Sequence, residues 1–328
     1  MLTDAQKAKR RSGVGSSDIG AVAGLSPYAR PIDVWLVKRG LAEVPETDAM
    51  RLGTALEPVI ADLYAREHVG AQEILAAPGD VWRGTTDGTL AHPAEPWALA
   101  TPDRVVCASD DPSVMPDPRA ARLVEIKSVA WRSAHHWGEA HDDVPPWYRA
   151  QIEWQMLVTG VGVCDLAALI GGAELRVYRI ERDPELAAML FDVGRAFWRR
   201  VERGEEPPVD ESESWRRHLE ARFPRAAAGL LTATREAEEI AARLADARAR
   251  RAAAEADEER AANELRAAIG DAEGIAGAGW KATWKAPAKG VPAWKSIAME
   301  LGAEGQPELV ARHTAAPSRR FTFTDRRG

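Results

Sequence analysis

The sequence contains two cysteines, Cys107 and Cys164, and no Cys-x-x-Cys pair. Two thiols cannot build a disulfide framework or a four-cysteine zinc site, so we expect reduced cysteines in a reducing compartment. No run of about eighteen apolar residues occurs, and no apolar stretch follows the basic residues near Met1, which argues against a membrane span and a signal peptide. We therefore expect a globular protein of the cytoplasm.

A phosphate-binding loop of the form G-x-x-x-x-G-K-[ST] is also missing, so the sequence gives no support for ATP-driven unwinding. The formal net charge of −7 argues against a simple basic protein that coats nucleic acid, because such proteins bind by neutralising phosphates. An acidic chain can still bind nucleic acid where a local basic track meets the backbone. Charge alone therefore decides nothing.

The first of three predicted regions, residues 1–225, has mixed composition and predicts an α/β domain. Runs of β-branched and apolar residues predict strands at residues 104–108, 122–129 and 175–180. Apolar residues at helical spacing predict helices at residues 31–40, 56–68 and 147–159. We expect a mixed central sheet flanked by helices.

The other two regions differ from the first in composition. Residues 226–271 are dominated by Ala, Glu and Arg and predict one long helix or a helical hairpin. Residues 272–328 predict a small β-rich module with a hairpin strand near Trp280, and residues 275–328 carry nine Lys and Arg against four Asp and Glu. Basic residues between aromatic ones can hold single-stranded nucleic acid. The alternative is a small hairpin that is packed by its tryptophans.

The pattern that carries chemistry is Asp103 followed by Glu125-Ile126-Lys127. Side chains alternate along a strand, so Glu125 and Lys127 lie on one face. Residues 109–119 are rich in Asp and Pro and predict a loop, so the strands around it can pair and bring Asp103 beside Glu125.

These groups suit hydrolysis at a phosphate with the help of Mg²⁺. Asp103, Glu125 and the backbone carbonyl of Ile126 are hard oxygen ligands, which Mg²⁺ prefers. Lys127 can orient a metal-bound water and stabilise charge in the transition state, so no covalent enzyme intermediate is needed. On these residues alone the pattern is weak, because an Asp with a later Glu-x-Lys occurs in many chains.

The surrounding sequence resembles the YqaJ-like and lambda-exonuclease branch of the PD-(D/E)xK nuclease superfamily. The resemblance covers about residues 10–200, and its blocks follow in the family's order: residues 15–20 (GSSDIG), 24–28 (GLSPY), Trp35, 51–57 (RLGTALE), Asp103, Glu125-x-Lys127 and 148–156 (YRAQIEWQM). It implies a restriction-endonuclease-like α/β core of the PD-(D/E)xK type.

The resemblance also implies roles for single residues. Asp103 and Glu125 bind the metal with Ile126, Lys127 assists the water, Glu57 lies beside the metal site, and Gln151 completes it. A second set is implied to contact a terminal 5′ phosphate of DNA: Arg10, Arg11, Ser17 and Thr101. From the residues alone, Glu57 and Gln151 are equally well explained as surface groups of helices, and the phosphate set as surface or capping groups.

By resemblance the protein is a phage-type recombination exonuclease that uses Mg²⁺, with Mn²⁺ as a substitute, and digests linear double-stranded DNA from a free end, 5′ to 3′. The resemblance further implies a homo-oligomer such as a ring trimer, a single-strand annealing protein as partner, and a phage or prophage origin in a bacterial host. Two alternatives stay open: a structure-specific or nicking endonuclease on the same core, and a non-catalytic DNA-binding scaffold.

Overall fold

The computed structural model describes residues 4–70, 73–78, 88–108, 121–140 and 142–285, together with residues 298, 302, 306 and 308. The chain divides into two compact units, residues 1–219 and 220–328. The predicted boundaries after residues 225 and 271 stay predictions. The predicted loop at residues 109–119 lies outside the described residues, as does most of the predicted C-terminal module.

The described helices and strands follow the chain in alternation. The helices are α1 (Asp4–Arg11), α2 (Ser16–Val22), α3 (Pro31–Lys38), α4 (Asp48–His68), a 3₁₀ helix (Trp131–His136), α5 (Pro146–Thr159), α6 (Pro184–Arg203), α7 (Glu213–Arg222) and α8 (Arg235–Ile269). The strands are β1 (Val14–Gly15), β2 (Glu73–Ala76), β3 (Leu90–Ala91), β4 (Ala98–Ala100), β5 (Arg104–Ala108), β6 (Arg122–Val129), β7 (Val163–Ile170), β8 (Glu174–Glu181), β9 (Gly274–Gly277) and β10 (Trp280–Thr283).

The main sheet of the first unit has the strand order β2-β5-β6-β7-β8. Strands β6 and β7 are parallel and are connected through α5, while the other neighbouring pairs are antiparallel. A smaller sheet with the order β1-β4-β3 lies in the same unit. The predicted fold class, a mixed central sheet with helices around it, is confirmed.

Alternating side chains of β6 face opposite helices. Val124 and Ile126 pack with Ile60 and Tyr64 of α4. Leu123 and Val129 face the other way and pack in a core that includes Ile152 and Met156 of α5. The sheet is therefore covered by α4 on one face and by α5 on the other, and every position on β6 has a defined side.

The ends of these two helices have local causes. Helix α4 begins eight residues before the predicted start at residue 56, because the side chain of Thr47 caps it by accepting from the Met50 N–H at 3.2 Å. Helix α5 ends at Gly160, whose φ of 77° lies in the left-handed region that glycine enters without strain. The sequence shows the Gly160 signal plainly, whereas the Thr47 cap was missed.

The second unit contains α8 and the β9–β10 hairpin. Residues 235–269 form one continuous helix, so the helical-hairpin alternative is wrong. The side chains of Trp280 and Trp284 are about half exposed, and the ring of Trp280 lies against Gly277 of the neighbouring strand, so a hairpin packed by its tryptophans stays a prediction. No helix in the described part of the chain is long and apolar enough to cross a bilayer.

Candidate active site

The N-terminal end of β5 lies beside the middle of β6, and Asp103 is at this point. Strands β5 and β6 pair in an antiparallel register that sets Arg104 opposite Val124, which confirms the pairing predicted from the sequence. Asp103 directly precedes β5, and its Oδ2 accepts a hydrogen bond of 2.7 Å from the backbone N–H of Ile126. The pairing therefore delivers the Asp103 carboxylate to the segment that carries Glu125 and Lys127.

The backbone of Ile126 offers a further oxygen at the same place. The N–H and C=O of a strand residue point to the same side of the strand. Since the Ile126 N–H points to Asp103, the Ile126 carbonyl is directed to that side as well. The predicted contribution of this carbonyl to a metal site therefore agrees with the direction of the strand.

Glu125 and Lys127 lie on the α5 face of β6, as their spacing predicts. Glu125 is 2% exposed, and its Oε1 accepts from Lys127 Nζ and from Gln151 Nε2. The Lys127 ammonium also lies 5.2 Å from the centre of the Tyr148 ring on α5. The structure thus brings three of the predicted site residues, Glu125, Lys127 and Gln151, into direct contact.

The electrostatics of the site are set by two carboxylates in a confined space. Burial and the charge of Glu125 raise the pKa of Asp103 to about 8. Burial alone would lower the pKa of Lys127, but the charges of Glu125 and Asp103 outweigh it and raise that pKa above its ordinary value. Lys127 therefore stays protonated. Its single positive charge does not fully neutralise the carboxyl groups of Asp103 and Glu125.

Glu57 lies at the edge of this cluster. Its Oε1 accepts a hydrogen bond of 2.7 Å from Arg104 Nη1, and the same guanidinium atom donates to the Asp103 carbonyl at 2.6 Å. Glu57 is close enough for its charge to contribute to the raised pKa of Asp103. Arg104, which the sequence did not single out, therefore links Glu57 to the Asp103 segment.

The donor set fits Mg²⁺. Two carboxylates and one peptide carbonyl are oxygen ligands, and their excess negative charge favours a divalent cation. Within the described ranges, no three His, Cys, Asp or Glu side chains are grouped closely enough to form a complete ligand set. Mg²⁺ tolerates such an incomplete set, because it keeps several waters and takes further ligands from a substrate phosphate.

The four residues predicted to bind a 5′ phosphate lie on two segments. Arg10 and Arg11 end α1, and exposed Ser17 lies in the first turn of α2. Buried Lys38 joins these two helices, because its ammonium donates to the Arg10 carbonyl at 2.6 Å and pairs with Asp18 at 2.5 Å.

Thr101, the fourth member of the set, precedes Asp103 by two residues. Its hydroxyl lies 3.1 Å from that of Thr89. Three members of the set are therefore gathered near the α1–α2 junction, and Thr101 lies at the carboxylate cluster. Their contact with a phosphate stays a prediction.

Comparison with known proteins identifies the first unit. Residues 7–162 match the model of the YqaJ-like viral recombinase domain. The protein named YqaJ of Bacillus subtilis (strain 168) is 27% identical over 228 residues, which is 68% of this chain and 64% of that protein. Residues 7–162 belong to the YqaJ-like viral recombinase domain family. The matched segment contains Asp103, Glu125, Lys127 and Gln151, so the resemblance read from the sequence is confirmed for the family.

Two solved structures are similar to this chain. Both are of the alkaline exonuclease LHK-Exo from Laribacter hongkongensis, one of them in complex with dAMP. Each is 22% identical, has a TM-score of 0.45 and covers 68% of this chain, and the match includes 100% and 98% of those chains. The chain matches 64% of the length of its Bacillus relative.

Gln155 is a further residue of the site, and no role for it was predicted from the sequence. This residue lies one helical turn after Gln151 on α5, is fully buried, and donates to Oε2 of Glu125 at 2.8 Å. Residues four apart share a helix face, so the position of Gln151 could have pointed to it.

Proposed function

We propose that this protein is a metal-dependent DNA exonuclease that hydrolyses linear double-stranded DNA from a free end, 5′ to 3′. The observation that supports the proposal is the cluster of Asp103, Glu125 and Lys127 at the junction of β5 and β6, inside a domain of the YqaJ-like family. Bacterial alkaline exonuclease structures are among the similar folds.

The residues divide the chemistry among themselves. Asp103, Glu125 and the Ile126 carbonyl would hold Mg²⁺, or Mn²⁺ in its place, and Glu57 would lie at its edge. When bound, the cation supplies polarisation of the scissile phosphate and a lower pKa for an attacking water. Lys127 orients that water and balances the negative charge that develops on the phosphate.

Gln151 and Tyr148 complete this division of roles from α5. Gln151 donates to Glu125 and restricts the carboxylate, while Tyr148 places its ring beside the Lys127 ammonium and helps to hold it over the site. The 5′ phosphate of the DNA end would meet Arg10 or Arg11, Ser17 and Thr101. A phosphate bound there would fix the end of the strand relative to the carboxylates.

The test is digestion of duplexes labelled at the 5′ or the 3′ end, with a covalently closed circle as the control substrate. The proposal expects Mg²⁺-dependent release of the 5′ label as mononucleotide, with the circle intact. Asp103→Asn, which keeps an oxygen for the Ile126 N–H, is the matched inactive variant. Cutting of the circle would favour the endonuclease, and DNA binding without hydrolysis would favour the scaffold.

We also propose that the protein works as a homo-oligomer, such as a ring trimer, beside a single-strand annealing protein in the cytoplasm of a bacterial host. A ring would keep the DNA in place between successive cuts. Sedimentation of the full chain measures the oligomer directly, and a monomer at all concentrations would contradict it.

A further inference from the structure

Gln155 is a buried amide whose polar contacts converge on the proposed cation site. Its side chain is fully buried, and its Nε2 donates to Oε2 of Glu125 at 2.8 Å and lies 3.5 Å from Oγ of Ser16. Its Oε1 has no hydrogen-bond partner among the described residues. The amide therefore faces Glu125 with its NH₂ group and turns its oxygen away from the carboxyl group. An apolar side chain would fill this place without leaving a buried oxygen unpaired.

The hydrogen bonds around Glu125 show what this amide does. A carboxylate offers about four lone pairs, two on each oxygen. Oε1 accepts from both Lys127 and Gln151, which occupies its two positions. Among the described residues, Oε2 accepts from Gln155 alone, so one of its two positions is open. The lone pair of Glu125 that could still bind a cation is therefore on Oε2, and it points in one direction.

The helix that carries Ser16 restrains the amide from its other side. Ser16 is buried in the first turn of α2, and Gly20 of the same helix packs so closely on α5 that an added Cβ would lie 3.1 Å from the carbonyl oxygen of Trp147. This close packing holds α2 against α5. Gln155 of α5 therefore lies against α2. The packing of the two helices restricts its amide, so the amide does not follow Glu125 if the carboxylate turns.

We propose that Gln155 is a positioning residue that fixes the Glu125 carboxylate so that one lone pair of Oε2 stays open for a divalent cation. This inference rests on the proposed metal-dependent nuclease function. Partners that orient metal-binding carboxylates contribute about 10- to 100-fold to metal affinity. Loss of the amide should therefore weaken cation binding more than it changes hydrolysis at saturating cation.

The experiment uses the full chain with Gln155→Met, which is similar in size and cannot donate, and Met156→Leu as the matched buried control on α5. Mn²⁺ binding is measured by electron paramagnetic resonance without DNA. The Mg²⁺ concentration for half-maximal hydrolysis is measured in parallel. We expect Gln155→Met to weaken Mn²⁺ binding about tenfold and to raise the half-maximal Mg²⁺ concentration by the same factor. The rate at saturating Mg²⁺ should recover, and the control should match wild type.

The outcomes separate the two proposals. Wild type that neither binds Mn²⁺ nor hydrolyses DNA would overturn the proposed function itself. Active wild type together with a folded Gln155→Met of unchanged Mn²⁺ affinity and Mg²⁺ dependence would overturn the role of Gln155 alone. If Gln155→Met does not fold, Gln155→Asn keeps the polarity, is one methylene too short to reach Glu125, and is judged by the same criteria.

Discussion

Two buried carboxylates lie on opposite faces of the main sheet, and their neighbours differ in charge. Asp165 of β7 faces α4 and receives hydrogen bonds from Tyr64, Arg122 and Arg179 at 2.6 to 3.1 Å. Glu125 of β6 faces α5, and in the part of the chain that the structure describes its one contacting cation is Lys127, whose charge also acts on Asp103. The first carboxylate is neutralised by fixed arginines, and the second belongs to a group with excess negative charge.

The difference separates a group that stabilises the fold from a group that we propose to bind a cation. Glu73 pairs with the same Arg122 and has a lowered pKa because of that hydrogen bond, so this network holds two acids and two arginines. Burial and the hydrogen bond to Asp165 raise the pKa of Tyr64, which therefore remains a donor. The pair of Asp103 and Glu125 lacks such balance, and a carboxyl group whose pKa is raised by burial and a neighbouring acid is typical of functional sites.

The largest expected effect is on hydrolysis by Glu125→Gln. Loss of this proposed ligand should reduce the rate of DNA hydrolysis by about 10³-fold or more, because the cation that would stabilise charge at the reacting phosphate would be held less well. The free energy of unfolding should change little, because relief of the repulsion with Asp103 offsets the loss of the ion pair with Lys127. Single-turnover digestion and urea denaturation measure the two quantities. A strongly destabilised variant would show that Glu125 is a structural acid like Asp165.

Asp165→Asn should produce the reverse pattern. The substitution removes one of the two carboxylates that pair with Arg122, since Glu73 stays in place, and the loss of hydrogen bonds to a charged group costs about 1.5–3 kcal/mol of the free energy of unfolding. Arg179 is more than half exposed in its side chain, so its share of that loss is small. Urea denaturation gives the loss, and the Mg²⁺ dependence of hydrolysis should be unchanged. A large shift in that dependence would mean that the two faces are coupled.

The pH dependence of stability should also distinguish the faces. The pKa of Asp103 is raised to about 8, so between its ordinary value of about 4 and pH 8 the folded protein holds a proton that the unfolded chain has lost. This carboxyl therefore makes the folded state less stable as the pH rises through that window.

Its contribution can be isolated with Asp103→Asn. The stability advantage of this variant over wild type in urea without metal should increase from pH 5 to pH 8, and Mg²⁺ should reduce it. Groups elsewhere cancel in the difference between the two proteins. A constant difference across this range would contradict the raised pKa.

The smallest expected effect is that of Glu57→Gln. Glu57 is already paired with Arg104 and is about one third exposed, so it acts at the edge of the site. We expect a loss of about tenfold in hydrolysis at limiting Mg²⁺, and less at saturation. A loss as large as that of Glu125→Gln would make Glu57 a direct ligand. No loss would assign it to the surface.

The two faces of the sheet also differ in how far the sequence predicts them. The bounds of β5 and β6 match the prediction, because β-branched residues, a flanking Asp- and Pro-rich segment and the Glu-x-Lys spacing are local signals. The pairing that brings Asp103 to Ile126 follows from the same signals. The meeting of Asp103 with Glu125 and Lys127 was therefore predictable from the sequence.

The Asp165 network was not predictable in this way. Strand β7 is buried on both faces, so it lacks the alternation that would assign Asp165 to a side. Its partners Tyr64, Arg122 and Arg179 come from three separate elements, and their meeting depends on the strand order of the whole sheet. Gln155 was predictable in part. Its helical spacing from Gln151 is visible in the sequence, but its hydrogen bond to Glu125 is not.

The proposed metal-dependent hydrolysis at Asp103, Glu125 and Lys127 is tested most directly with wild type and Lys127→Met on linear duplex DNA, each with Mg²⁺ and with EDTA. The long apolar side chain of methionine keeps the bulk beside Tyr148 and removes the charge. The account predicts rapid digestion by wild type with Mg²⁺ and none in the other three reactions, with both proteins equally folded by circular dichroism. Equal digestion by Lys127→Met, or digestion that persists in EDTA, would contradict it.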